Sequence, residues 1–224
     1  MSKPILYMNP LSAPSRAVMY LVKYLGLELE CIEISLDTRE TLTPEFRKLN
    51  PQHTVPTLVD GHDVIYDSHA ICGYLVDKYA TNDELYPKGL VQRTLVNARL
   101  HFDSCDIFSP MRFMYVQILY GGLESVPKDV VRCLHESWMI LEDILKDSPY
   151  LCGENMTIAD ICCLATITAV VENAPIVEET YPKLFDWLRR MCSMPFYYDD
   201  GSKRLQMKIK EKLKENRLTK KEVN

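Results

Sequence analysis

The sequence predicts a small α/β domain followed by an all-helical domain, and three observations predict it. Strand-like and helix-like runs alternate from Pro4 to about Ala80 in the order β-α-β-α-β-β-α. Strand patterns stop after Leu90. Between the two regions lies "TNDELYPKG", polar and marked by Pro and Gly, which reads as a linker. The expected domains are residues 1–81 and residues 90–224.

The apolar run at 4–8 reads as a buried strand. Over 14–25, Val18, Leu21, Val22 and Leu25 share one helical face, and Gly26 stops the helix. "ELECIEISL" alternates as a strand, and "TPEFRKLNP" is a short helix ended by Pro51. "TVPTLVDGHDVIYD" is a strand pair turned at Asp60-Gly61. "SHAICGYLVDKYA" opens on Ser68 as an N-cap and continues as a helix. The first β-α-β unit calls for a parallel strand pair, to which the hairpin adds antiparallel strands.

In the second region, residues 90–120 carry one long helical pattern with Pro110 as the expected kink, and residues 128–146 carry another. "NMTIADICCLATITAVVEN" is nearly all apolar, so its helix should lie at the centre of the helical domain. Thr157 and Asp160 form a capping box, with Met156 and Ile161 placed as a hydrophobic staple. "YPKLFDWLRRMCS" and the tail supply the remaining helices.

The 224 residues are 47% hydrophobic and 25% charged, ordinary for a globular chain with a buried core. The net charge of −5 gives no general reason to expect nucleic-acid binding. Residues 201–224 hold nine Lys or Arg and three Glu, a local charge of +6. That tail reads as a solvated, partly frayed helix, with contact to an acidic surface or an anionic ligand as the other reading. The eight cysteines include no C-x-x-C pair, and the start has no signal-like apolar run, so reduced thiols in the cytoplasm are expected. No window is long and apolar enough for a membrane span. The five histidines show no metal-ligand spacing, and no metal is expected.

Three stretches offer chemistry. "MNPLSAPSR" places Ser12 where a strand hands over to a helix, as a turn residue, a cap or an active-site hydroxyl. In "NPQHTVPTL", a cis Val55–Pro56 bond would turn the Val55 backbone outward to pair with an extended peptide, although local odds favour a trans bond. In "YDSHAI", Ser68 and the first helical turn suit a carboxylate and Asp67 suits an ammonium, unless the group is a plain N-cap. Further on, Phe108, Met111, Arg112, Tyr115 and Leu119 share one helical face, either core or the wall of a pocket. Arg112 is the odd member, because a buried guanidinium needs an anionic partner, so a pocket wall with one anion anchor fits better than dry core.

These pieces, in this order, resemble the cytosolic glutathione transferases, most closely the insect epsilon and delta classes. "LNPQHTVPTL", "DSHAICGYLVDKYA", "DELYP" and "MTIAD" carry the resemblance, which runs from Pro4 to about Lys210. It implies a thioredoxin-like N-terminal domain, an all-α C-terminal domain, a homodimer and a cis Val55–Pro56 bond. It implies a transferase that conjugates glutathione to small hydrophobic electrophiles, or uses it to eliminate from them, in detoxification. Ser12 would donate a hydrogen bond to the glutathione sulfur and favour thiolate over thiol. Val55 would pair with the cysteinyl part, and Asp67 and Ser68 would hold the γ-glutamyl end. His53 would meet the glycyl carboxylate. Thr54, Pro56, His69 and Arg112 complete the expected glutathione set. Leu11, Leu36, Phe108, Met111, Tyr115, Leu119 and Met207 are expected to line the pocket for the electrophile.

The chain departs from the family pattern at Ala13, where a proline is common, at Ser15, at Thr41, where a histidine is common, and at Pro110. Two other readings use the same scaffold. One is a non-catalytic or weakly catalytic glutathione-transferase-like ligand-binding protein. The other is a glutathione-dependent peroxidase or isomerase acting on an endogenous lipid or steroid.

Overall fold

Four short strands form one mixed sheet because a crossover helix joins the first two and a tight turn joins the last two. The structure, a computed structural model, describes residues 3–223. β1 (Ile5–Met8), β2 (Glu30–Glu33), β3 (Thr57–Asp60) and β4 (Asp63–Tyr66) lie in the order β2-β1-β3-β4. β1 and β2 are parallel, whereas β1 with β3 and β3 with β4 are antiparallel. Gly61 takes the hairpin turn at φ 66°, which a glycine adopts without a Cβ clash. β2 is shorter than the nine-residue alternation suggests. It is the exposed edge strand, and Ile34 just beyond it is buried with Phe46 and Val55 instead.

α1 (Ala13–Leu25) and α3 (Ser68–Tyr79) pack together beside this sheet, and α2 (Pro44–Leu49) follows a 3-10 turn at Glu40–Leu42. The N-cap of α3 is Asp67, not Ser68. Asp67 Oδ1 accepts from the His69 and Ala70 amides at 2.9 and 3.2 Å, so Ser68 becomes the first helical residue.

α4 (Leu90–Phe102) runs into a π-helical stretch, Asp103–Phe108, and then into α5 (Ser109–Tyr120). Pro110 does not simply kink this helix. It cannot donate to the Asp106 carbonyl four residues back. Ser137 Oγ, from α6 (Lys128–Ile144), lies 3.0 Å from that carbonyl and donates to it. The wide turn accommodates the proline ring and still leaves the helix continuous.

α7 (Ile158–Val170) is buried at every residue and packs against α1, α4 and α9, as its all-round apolar sequence predicts. Its start is fixed by a charged side chain. Asp160 is fully buried; its Oδ2 accepts from the Thr157 amide at 2.9 Å, and Oδ1 accepts from the Leu151 amide and Trp187 Nε1, each at 2.9 Å. Thr157 completes the capping box, and Met156 packs against the core. α8 (Pro182–Cys192) and α9 (Asp200–Val223) finish the chain.

The tail is tethered rather than frayed over its described side chains. Asn216 Nδ2 donates to the Ile118 and Leu123 carbonyls at 2.9 and 2.8 Å, and Arg217 Nε donates to the Glu124 carbonyl at 2.7 Å. Lysines 208 and 210 pair with Asp37 and Glu172.

Replacing Asp160 with alanine strands several buried donors at once, so Asp160→Ala is expected to cost about 3 kcal/mol or more. A urea midpoint within error of the parent would refute this account of the helix start.

Candidate functional site

A cavity of about 730 Å³ opens where the sheet-bearing part of the chain meets the helices. At its floor is the turn from β1 into α1, and the sequence knits that turn locally. Asn9 Oδ1 accepts from the Leu11 amide, Asn9 Nδ2 donates to the Ile34 carbonyl, and the Asn9 amide donates to Ser15 Oγ. Ser15 is therefore a buried clasp of the turn.

Ser12 is the N-cap of α1. Its Oγ accepts from the Ser15 amide at 3.3 Å and donates to the Val55 carbonyl at a long 3.4 Å. One lone pair is taken by the helix, and the proton is held only by the long contact to Val55, itself a residue of the cavity lining. The positive end of α1 adds to the local preference for negative charge.

A residue absent from the sequence-based candidates holds this turn against the helical region. Arg16 is 1% exposed. Its guanidinium donates to the carbonyls of Pro10, Leu11 and Ala165, each at 3.1 Å. The buried guanidinium of the chain is thus Arg16. Arg112 is exposed and lines the cavity wall.

The second wall is the loop before β3. The Val55–Pro56 bond is cis, against the local odds and as the resemblance implies. Asn50, wholly buried, donates to the Thr54 carbonyl at 3.1 Å and to Thr57 Oγ1 at 2.9 Å, which shapes the loop that presents His53, Thr54 and Val55 to the cavity.

The third wall starts with Asp67, whose φ of 75° is rare for a non-glycine residue and whose Oδ2 is unused by the helix cap. Ser68 and His69 follow it along the cavity. The π-helical turn faces them. His69 Nε2 lies 2.9 Å from Asp103 Oδ2, which also accepts from Thr166 Oγ1 at 3.2 Å. Asp103 is 2% exposed, and its Oδ1 has no hydrogen-bond partner. Burial works against the imidazolium of His69, but the hydrogen bond to Asp103 and the charges of Asp103 and Asp67 outweigh it and raise its pKa.

The remaining wall is apolar. Leu11, Leu36, Phe108, Met111 and Leu119 line it, joined by Leu205 of α9. Met207 does not. It is 56% exposed, because two residues along a helix turn a side chain to the opposite face from Leu205. Tyr115 borders the cavity, but its hydroxyl points into the core. It donates toward the Ala169 carbonyl and Asn173 Oδ1 and accepts from Gln206 Nε2. Of the departures noted above, Ala13 and Thr41 are buried residues of the cavity lining.

Among the described residues no cluster of three or more His, Cys, Asp or Glu could hold a metal ion, and no helix is long and apolar enough to cross a membrane.

Residues 6–83 match the family model of the glutathione S-transferase N-terminal domain, and residues 106–195 match that of the C-terminal domain. Glutathione S-transferase 1 of Manduca sexta is 39% identical over 194 residues, 86% of this chain and 89% of the relative. A glutathione transferase homologue of Drosophila mojavensis, solved with bound glutathione, superposes with a TM-score of 0.91 at 38% identity, covering 95% of this chain and 98% of that one. An epsilon-class glutathione S-transferase from housefly gives a TM-score of 0.91 at 37% identity, covering 94% and 98%.

The His69–Asp103 contact has a defined pH dependence. An imidazolium favoured by the fold stabilises it fully below the ordinary histidine value of 6.5. That contribution disappears as pH rises through the raised value in the folded chain. The stability difference between the parent and His69→Gln should therefore be largest in mild acid and shrink toward alkaline pH. Urea melts across that range test it, and a difference that grows with pH would reverse the assignment.

Proposed function

A chain with these relatives belongs to the glutathione S-transferase family, and we propose that its Ser12 hydroxyl activates bound glutathione for attack on hydrophobic electrophiles. The observation that carries this reading is the Ser12 hydroxyl, which caps the Ser15 amide and turns toward Val55 beside an apolar cavity. An extended tripeptide lying along the Val55 backbone would bring its thiol to Ser12.

A thiol ordinarily ionises near pH 8.5. Donation from Ser12 Oγ to the sulfur, with the N-terminal dipole of α1, favours the thiolate and lowers that value. The thiolate sulfur then bonds to the electrophilic carbon, and the leaving group departs with its electron pair. No general base next to Ser12 is required, because the serine stays protonated throughout.

The ends of glutathione have matching groups. The Ser68 hydroxyl and the start of α3 suit the γ-glutamyl carboxylate. Asp67 Oδ2 and the unpartnered Asp103 Oδ1 suit its ammonium. His53, exposed at the cavity edge, suits the glycyl carboxylate, and Arg112 supports the mouth of the site. The electrophile occupies the apolar end, bounded by Leu11, Leu36, Phe108, Met111 and Leu119. Breadth of apolar lining with flexible Met and Leu side chains favours detoxification of varied compounds.

We also propose a homodimer. Leu90 and Val91 at the start of α4 are 83% and 76% exposed, a pair of large apolar side chains that a second copy would cover. The eight cysteines are all free thiols, which supports a reducing cytosolic setting.

Conjugation of glutathione to a chloronitrobenzene tests the activity. Ser12→Ala removes a hydrogen bond to a charged sulfur, worth about 1.5–3 kcal/mol, so kcat/KM at neutral pH should fall about 10- to 100-fold and recover as pH is raised. Full activity at neutral pH in that variant would refute the role of Ser12. Leu90→Glu with Val91→Glu should shift the sedimentation of the protein to that of a single chain; an unchanged dimer would place the interface elsewhere.

A further inference from the structure

The segment between β2 and α2 contributes to the cavity lining, and one of its residues is out of character with its neighbours. Leu36 and Leu42 line the cavity as expected of a hydrophobic site, but so does Arg39 between them. Arg39 sits at φ 56°, a left-handed conformation that costs a residue with a Cβ. Its guanidinium carbon lies 5.8 Å from the ring centroid of Tyr120, at the end of α5, which also lines the cavity. An aromatic face at that range orients the cation without neutralising it.

Nor does any carboxylate neutralise it. The two acids adjacent in the segment are engaged elsewhere, Asp37 with Lys208 and Glu40 with the Ser35 amide. Among the described residues Arg39 makes no ion pair. The acids that do line the cavity, Asp67 and Asp103, are engaged elsewhere: one caps α3 and the other meets His69. The cavity lining therefore holds two carboxylates already engaged at α3 and His69 and, besides Arg112 of α5, the guanidinium of Arg39 with an aromatic ring as its partner.

We propose that Arg39, braced on Tyr120, is an anion anchor for the second substrate. It selects electrophiles that carry a carboxylate or a similar anionic group separated from the reactive carbon by an apolar body. A guanidinium presents paired donors that match a carboxylate, and Arg39, exposed at the cavity lining, meets an arriving anion without first being buried. The neighbouring hollow beyond Leu119 and Tyr120 contains Glu124 as well as Lys212, so it adds no such preference.

This inference rests on the transferase reading and is tested so that the two fail separately. The probes are an alkyl enone with a terminal carboxylate and its neutral methyl ester. Turnover of the ester reports the transferase activity alone; its absence would sink the transferase reading. The ratio of kcat/KM for acid over ester reports the anchor. In the native chain the acid should be preferred, and added salt should erode that preference. Arg39→Gln should reduce the ratio about tenfold, and Arg39→Lys should restore part of it. An unaltered ratio in Arg39→Gln, or a native preference for the ester, overturns the proposal. So does a result in which Arg39→Gln weakens glutathione binding and leaves the ratio alone, because Arg39 would then serve the glycyl end of glutathione.

Discussion

The site depends on one buried guanidinium. Arg16 spends its terminal nitrogens on three backbone carbonyls, two in the turn before Ser12 and one in α7. That bridge adds directed hydrogen bonds to the packing of α1 on α7. With it, the capping hydroxyl of Ser12 has a fixed position relative to the helices that form the far side of the cavity. A charge so enclosed is costly unless hydrogen bonds satisfy it, so the carbonyls around Arg16 are as necessary as Arg16 itself. Close packing protects the arrangement. A Cβ at Gly201, at the start of α9, would lie 2.2 Å from the Pro10 carbonyl oxygen, so only glycine lets the last helix approach this turn.

The same device recurs at the other end of the helical region. Asp160 is a buried carboxylate whose oxygens are consumed by backbone amides and Trp187, and it fixes where α7 begins. Arg16 meets α7 further along, at Ala165. The central helix is thus positioned by a charge near its start and a charge near its middle, with apolar packing between. Hydrophobic burial supplies most of the drive to bury α7, but it is nondirectional. The two charged side chains supply the registration that apolar contact lacks.

Much of this was legible in the sequence, for identifiable reasons. Periodicity marks the strands, α1 and α7, and the turn residues mark the hairpin. The short stretches around Ser12, Val55 and Asp67 stand out because each mixes turn chemistry with polar groups. What local sequence did not disclose is partnership at a distance. Arg16 looks like a surface residue of an amphipathic helix until Ala165 is placed beside it. Asp103 looks like an exposed acid until His69 and Thr166 face it. Asn50 stands in the sequence only as the residue before Pro51, although its side-chain amide bonds Thr54 and Thr57 and holds their loop. Met207 is a different case: the tail sequence marks a helix, but its phase is set by packing of Leu205 and Ile209, which the charged residues around them obscure.

The π-helical turn at Asp103–Phe108 has a consequence for how the two ends of the cavity are related. In an unbroken α-helix, residues eight apart differ by about 80° in direction. Asp103 and Met111 are eight apart, and both border the cavity, one at its ionic end and one at its apolar end. The wider turn, with more residues per revolution, takes up part of that angular offset. One continuous rod can therefore serve two chemically different compartments. It behaves as a gearing element: a one-residue change in the length of this turn would rotate the apolar wall against the ionic one. The proline that appears disruptive in the sequence lies at the seam where the two phases are matched.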